Sequence, residues 1–237
     1  MTLLLALLAA AAAMPRLDPG LAEAFRLVKS GRFEDGRKAA EIYLAVPAPA
    51  HPGQAQFVIG LSYHQQRLYE RAESHFARGL ALEPDYVTAR FFHGFALLNL
   101  GRLDEAKAEL EAYAARDPDE AEARFGLGLV ALEQDRADDA QAQIERAIAI
   151  VEGKGARADP KDLARYQARL ADVHLRLDRL DPARAALEKS IVLNPDHFET
   201  WHKLSRVLRR LGDTAGAERA QARSDELFRR RTGQEGS

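Results

Sequence analysis

The chain has 237 residues, with 34 Lys or Arg against 36 Asp or Glu, and no cysteine. A formal charge of −2 argues against the chain as a whole being a nucleic-acid binder. The missing cysteine excludes disulfides, thiolate metal sites and a cysteine nucleophile. Ala, Leu, Arg and Glu dominate, all good helix formers, and no alternating β-branched run suggests a sheet.

Residues 1–13 differ from everything after them: Met-Thr-Leu-Leu-Leu-Ala-Leu-Leu, then five alanines. The run is about as long as a signal-peptide core and too short to span a bilayer. Ala11 and Ala13 supply small residues for cleavage after Ala13, although no Lys or Arg precedes the core. The reading is an export signal, with the protein periplasmic or secreted. The alternatives are a true start at Met14, which makes the protein cytoplasmic, and a retained segment that brings in a membrane.

Residues 17–50 read as a degenerate first hairpin of helices. Ala24, Gly31, Phe33, Gly36, Ala40 and Tyr43 repeat the spacings of Gly60, Arg67, Tyr69, Ala72, Phe76 and Gly79. Gly36 is expected to weaken its helix by up to about 1 kcal/mol relative to alanine. The proline-rich stretch from Pro47 to Pro52 forms a stiff connector.

The stretch 53–154 carries the clearest signal, a 34-residue period. Gly60, Gly94 and Gly128 keep it, as do Ala72, Ala106 and Ala140, and Phe57, Phe91 and Phe125. Such a period marks a solenoid of stacked helix pairs. Within Val87 to Glu120 a first helix is predicted over about 88–100 and a second up to Asp117. Gly101 suits the first helix's C-terminus because it can take a left-handed backbone. Asp104 and Glu105 place negative charge in the next first turn. Gly94 and Ala106 sit where two helices would cross, and their small size permits close approach.

The period breaks after Glu152. Gly153 to Gly155 is predicted as a loop, and the insertion covers 155–163. Asp159-Pro160 then has the form of a helix start, with a helix over about 160–177. The period resumes with Ala183 and Ala217, again 34 apart. Six units result: 17–50, 53–86, 87–120, 121–154, 164–197 and 198–231. The last helix is expected over about 214–231, and residues 232–237 as a disordered tail.

The repeated residues resemble the tetratricopeptide repeat. The unit from Gly53 supplies Ile59-Gly60, Tyr63, Tyr69, Ala72, Phe76 and Pro84; the unit from Val87 supplies His93-Gly94, Leu103, Ala106, Leu110 and Pro118. In the unit from Ala121, Glu152 replaces the proline. The resemblance implies an all-α fold, a right-handed superhelical solenoid of antiparallel helix hairpins. It also implies that the first helices line a concave face, with the fifth and ninth residues of each unit pointing inward.

On that basis the expected partner-binding residues are Phe25, Phe57, Leu61, Phe91, Phe95, Phe125 and Leu129, an apolar stripe, followed by His202 and Arg206. The same positions in the unit from Ala164 hold Ala168 and Asp172; Arg165, Arg169 and Arg176 are close to these in sequence, and Lys203, Arg209 and Arg210 to His202 and Arg206. Residues 198–231 hold nine Lys or Arg against five acids, so +4; residues 87–152 hold seven against fourteen, so −7. The matching partner is a protein or peptide segment, apolar with an acidic end; self-association through the apolar stripe is a variant of this reading.

No catalytic constellation can be assembled. No His pair has the i, i+4 spacing with Glu of a zinc hydrolase, and Gly153-Lys154-Gly155 lacks the Ser or Thr of a phosphate loop. No cofactor and no metal are expected. His93 falls at a core position, and His64 at the groove or its rim. The function this supports is a non-catalytic protein-interaction scaffold; the alternatives are a membrane-associated assembly factor and a small-ligand carrier using His64 or the basic end.

Overall fold

The computed structural model describes residues 17–116, 119–155 and 158–233. The apolar segment 1–13 and the tail beyond Gly233 lie outside the described residues. Twelve α-helices run through the described residues, with one short 3-10 turn at Pro19–Leu21 and no strand among them. They are α1 (Ala22–Lys29), α2 (Phe33–Ala45), α3 (Pro52–Gln65), α4 (Tyr69–Leu82), α5 (Val87–Asn99), α6 (Leu103–Arg116), α7 (Ala121–Glu133), α8 (Ala137–Gly153), α9 (Pro160–Arg176), α10 (Leu180–Leu193), α11 (Phe198–Arg210) and α12 (Thr214–Thr232). The fold is all-α, built from first and second helices in alternation.

One backbone feature repeats at every turn from a first helix to a second. Gly31, Arg67, Gly101, Asp135, Asp178 and Gly212 all have positive φ, between 55° and 85°. Each stands two residues before the next helix begins. Glycine takes this conformation without steric cost, whereas Arg67, Asp135 and Asp178 hold it against the clash of their own Cβ.

The chain divides into two compact units, up to Val130 and from Ala131 onward. Unit 1 is dominated by aromatic packing. The Phe57 ring lies 5.9 Å from Phe76, 5.3 Å from Tyr86 and 5.4 Å from Phe92. Glycines allow these helices to meet. A Cβ on Gly60 would come within 2.7 Å of the Phe76 ring, and one on Gly94 within 2.9 Å of Leu110. Gly36 has the same role: a Cβ there would stand 2.5 Å from Val28 and 3.0 Å from the Ala24 carbonyl oxygen. Its low helix propensity is therefore offset by a contact between α1 and α2 that alanine would obstruct.

Unit 2 has a core of small residues. Ala171, Ala183, Ala186, Ala217 and Ala220 surround Leu187, Leu204, Val207 and Leu208. Ser190 Oγ donates to the Ala164 carbonyl at 2.7 Å, and Ser224 Oγ, 34 residues on, donates to the Phe198 carbonyl at 2.9 Å. The insertion is partly absorbed into helix. Both α8 and α9 have 17 residues, against 13 in α5 and 14 in α6. Gly153 is the last residue of α8, on an added turn whose Val151 is buried. The start of α9 is as expected: the Asp159 side chain accepts from the Lys161 N–H at 2.8 Å. Helix α12 reaches Thr232, and Gly233 caps it with a left-handed backbone.

Candidate functional site

Helices α3 and α5 of unit 1 are covered on nearly every side, whereas α1 buries only Ala24, Leu27 and Val28. Ten of the fourteen residues of α3 are buried, and Phe91 to Leu97 of α5 are buried without a break. This places the expected apolar stripe in the core. Phe57, Leu61 and Phe125 are 0% exposed, Phe95 1% and Phe91 3%. Packing surrounds these rings: Phe91 lies 4.8 Å from Phe95 and 5.2 Å from Tyr113. These five residues present no open surface to a partner. Phe25 and Leu129 are half-buried, and His202 and Arg206 are exposed.

His64 is a second correction, since it lies in the core and not at a rim. Its ring is 5.4 Å from Tyr69, 6.2 Å from Phe76 and 5.8 Å from Phe92. Neither ring nitrogen has a hydrogen-bond partner, and burial pushes the pKa down to about 4. His93 is buried as its core position implied. It stands between two carboxylates, with Nε2 3.5 Å from Glu73 and Nδ1 3.5 Å from Glu109. Arg102 and Arg90 hold the same carboxylates, each at 3.0 Å. His93, chiefly, and Arg90 keep the Glu109 carboxyl below the usual range. Among the described residues no group of three or more His, Asp or Glu could hold a metal ion.

In unit 2 the matching positions differ by helix: Ala168 and Asp172 of α9 are half-buried, and His202 and Arg206 of α11 are exposed. Helix α11 buries only Thr200, Leu204, Ser205, Val207 and Leu208, and turns a basic side outward. Lys203 Nζ reaches both Asp172 oxygens, at 2.6 and 2.7 Å, and Arg169 donates to the same carboxylate at 3.1 Å. These bonds tie α11 to α9. His202 Nδ1 lies 3.2 Å from Gln221 Oε1, which also accepts from Ser205 Oγ at 3.0 Å. Several arginines of the expected cluster are paired within the unit: Arg165 with Asp162, Arg176 with Asp135, and Arg210 with Asp178. Arg206 and Arg209 are exposed and make no ion pair among the described residues. The face thus has two unanswered cations beside a braced Lys203–Asp172 pair.

Comparison with known proteins bears directly on this geometry. The tetratricopeptide repeat profile matches residues 21–90, 93–162 and 168–228. The chain belongs to the tetratricopeptide repeat family. Proteins of this family are in general protein-interaction scaffolds. No curated protein matches the chain. Among solved structures it is similar to MamA, at 20% identity and a TM-score of 0.59, covering 74% of this chain and 97% of that one. It is also similar to pilF of Pseudomonas aeruginosa, at 15% identity and a TM-score of 0.71, covering 89% and 91%. A third similar structure is YrrB, described as a repeat protein with an unusual peptide-binding site, at 19% identity and a TM-score of 0.59, covering 79% and 91%. At these identities the likeness is one of fold. Among the described residues no helix is long and apolar enough to cross a membrane.

Proposed function

We propose that this repeat protein is a non-catalytic scaffold that takes an acidic segment of a partner protein on the first-helix face of unit 2. One observation carries this reading. At matching positions the first helices present buried Phe91 and Phe95 in unit 1, and exposed His202 and Arg206 in unit 2. The exposed Arg206 and Arg209, without counter-charges among the described residues, would steer an acidic partner and set its orientation. The Lys203–Asp172 pair supports the face from below by fixing α11 against α9. The peptide-binding site named for YrrB is in keeping with a polypeptide as the partner.

The test is affinity capture from the native extract with the full chain. Wild type is compared with His202→Ala/Arg206→Gln and with Arg184→Gln, a change at a half-buried arginine on a second helix. The expected result is a partner retained by wild type and Arg184→Gln and lost from the double variant, with an acidic stretch in the identified partner. Equal capture by all three proteins would contradict the reading. The apolar segment 1–13 adds a proposed export step. An intact mass for the mature protein lacking residues 1–13 supports export, and a full-length mass contradicts it.

A further inference from the structure

Arg90, Arg102 and Arg116 of unit 1 each meet a carboxylate at 3.0 Å or closer. Arg37, Arg71 and Arg78, like Arg67 and Arg124, make no ion pair among the described residues. Two acids beside them are already taken, Glu34 by Lys38 at 2.7 Å and Asp35 by Arg32 at 2.9 Å. Glu41 and Glu70 are exposed on the same helices and pair with none of the three.

The guanidiniums of Arg37 and Arg71 are gathered on one ring, and Arg78 follows on α4, three residues after the His75 that stacks on that ring. Tyr63 of α3 stands between α2 and α4, with the Arg37 guanidinium 4.7 Å and the Arg71 guanidinium 5.6 Å from its ring centre. Tyr63 stacks on His75 of α4 at 5.5 Å, with the ring planes 23° apart. His75 Nδ1 lies 2.8 Å from Gln56 Oε1, and Arg37 donates to Ser62 Oγ at 3.3 Å. Burial first, then the charges of Arg78 and Arg37, hold the His75 pKa below its usual value. Arg71 and Arg78 are exposed, while Arg37, Tyr63 and His75 are half-buried. The Tyr63 ring fixes the Arg37 and Arg71 guanidiniums by cation–π attraction and leaves N–H edges free to donate.

We propose that this cluster, on the second-helix side of unit 1, is a docking site for a carboxylate-rich segment of a partner protein. Charge complementarity is the first argument, because like charges held together without counter-charges are relieved by an anionic partner, and each planar fork matches a carboxylate two N–H groups at a time. Spread is the second. Arg71 and Arg78 are seven residues apart on α4, about 10 Å along the helix axis, which suits a chain of carboxylates better than one compact anion. The Tyr63 and His75 rings give flat contact for the segment between its charges. The site rests on different helices from the proposed face on α9 and α11, so the two can fail separately.

The test uses the full chain and a fluorescein-labelled octaglutamate peptide, with binding followed by anisotropy. Wild type, Arg37→Gln/Arg71→Gln, Arg78→Gln and Arg206→Gln/Arg209→Gln are compared, each checked for unchanged helicity. Binding is expected to weaken about tenfold in Arg37→Gln/Arg71→Gln, and by a smaller factor in Arg78→Gln. It should also weaken at higher salt. Binding in wild type that the Arg37 and Arg71 changes leave untouched would overturn the inference, even if the Arg206 and Arg209 changes abolish it. No binding in wild type, or displacement by inorganic pyrophosphate as effective as by unlabelled octaglutamate, would also overturn it.

Discussion

Units 1 and 2 use the same repeat to different ends. In unit 1 the fifth and ninth positions of the first helices carry Phe57, Phe91, Phe95 and Phe125, and packing buries them. In unit 2 the same positions carry Asp172, His202 and Arg206, and the helix keeps one apolar side only. The difference teaches that an inward position in a repeat is a location and not a function. Whether it binds depends on whether the side chain is large and apolar enough to close the space itself.

This comparison is broken most sharply by removing the unit 1 rings. Phe91→Ala and Phe95→Ala should each cost about 3–5 kcal/mol, since each leaves a cavity in a packed core. Denaturant unfolding of the full chain, followed by circular dichroism, should show early loss of part of the helix. Unchanged stability would mean that the rings face an open groove.

Acid should separate the units next. The folded-state pKa of His64, about 4, lies below the unfolded value of about 6.5. The unfolded chain therefore binds the proton first as the pH falls. Unit 1 stability is complete above about pH 6.5 and declines through the window down to about pH 4, by roughly 3 kcal/mol in total. His64→Leu should flatten this decline, and thermal melts at stepped pH would read it.

Smaller effects sharpen the picture of unit 2. Lys203→Ala removes the brace on Asp172 and should cost about 1 kcal/mol, reduced because the pair is partly exposed. The smallest effect concerns the turns. Arg67→Gly should stabilise unit 1 by up to about 1 kcal/mol, because glycine holds the left-handed angle without the Cβ clash. Equal melting of wild type and Arg67→Gly would show that this turn carries no strain.

Much of this molecule was legible in the sequence because its signals are local. Gly101 takes the left-handed angle expected at the end of a first helix, Asp159 caps α9, and Gly60 and Gly94 stand at close crossings. Exposure was not legible. The spacing of Phe57, Phe91 and Phe125 gives the face they share, but not the neighbouring side chains that close over it. The end of α8 at Gly153 was missed: the helix continues through an added turn whose Val151 is buried, where the glycine alone suggests a loop. The Arg37, Tyr63 and Arg71 cluster was missed because its members come from three helices and share no motif. The cross-repeat pairs left a trace: Asp172–Lys203 and Asp178–Arg210 span 31 and 32 residues, close to one period.

The most direct test of the central claim is photo-crosslinking in the native cell, with a benzophenone side chain introduced at position 206 or at position 129 of the full chain. Both positions lie at the ninth residue of a first helix, one in each unit. An adduct with a partner protein from position 206 and none from position 129 is the predicted result. An adduct from position 129 and none from position 206 would place the binding face on unit 1 and contradict the account.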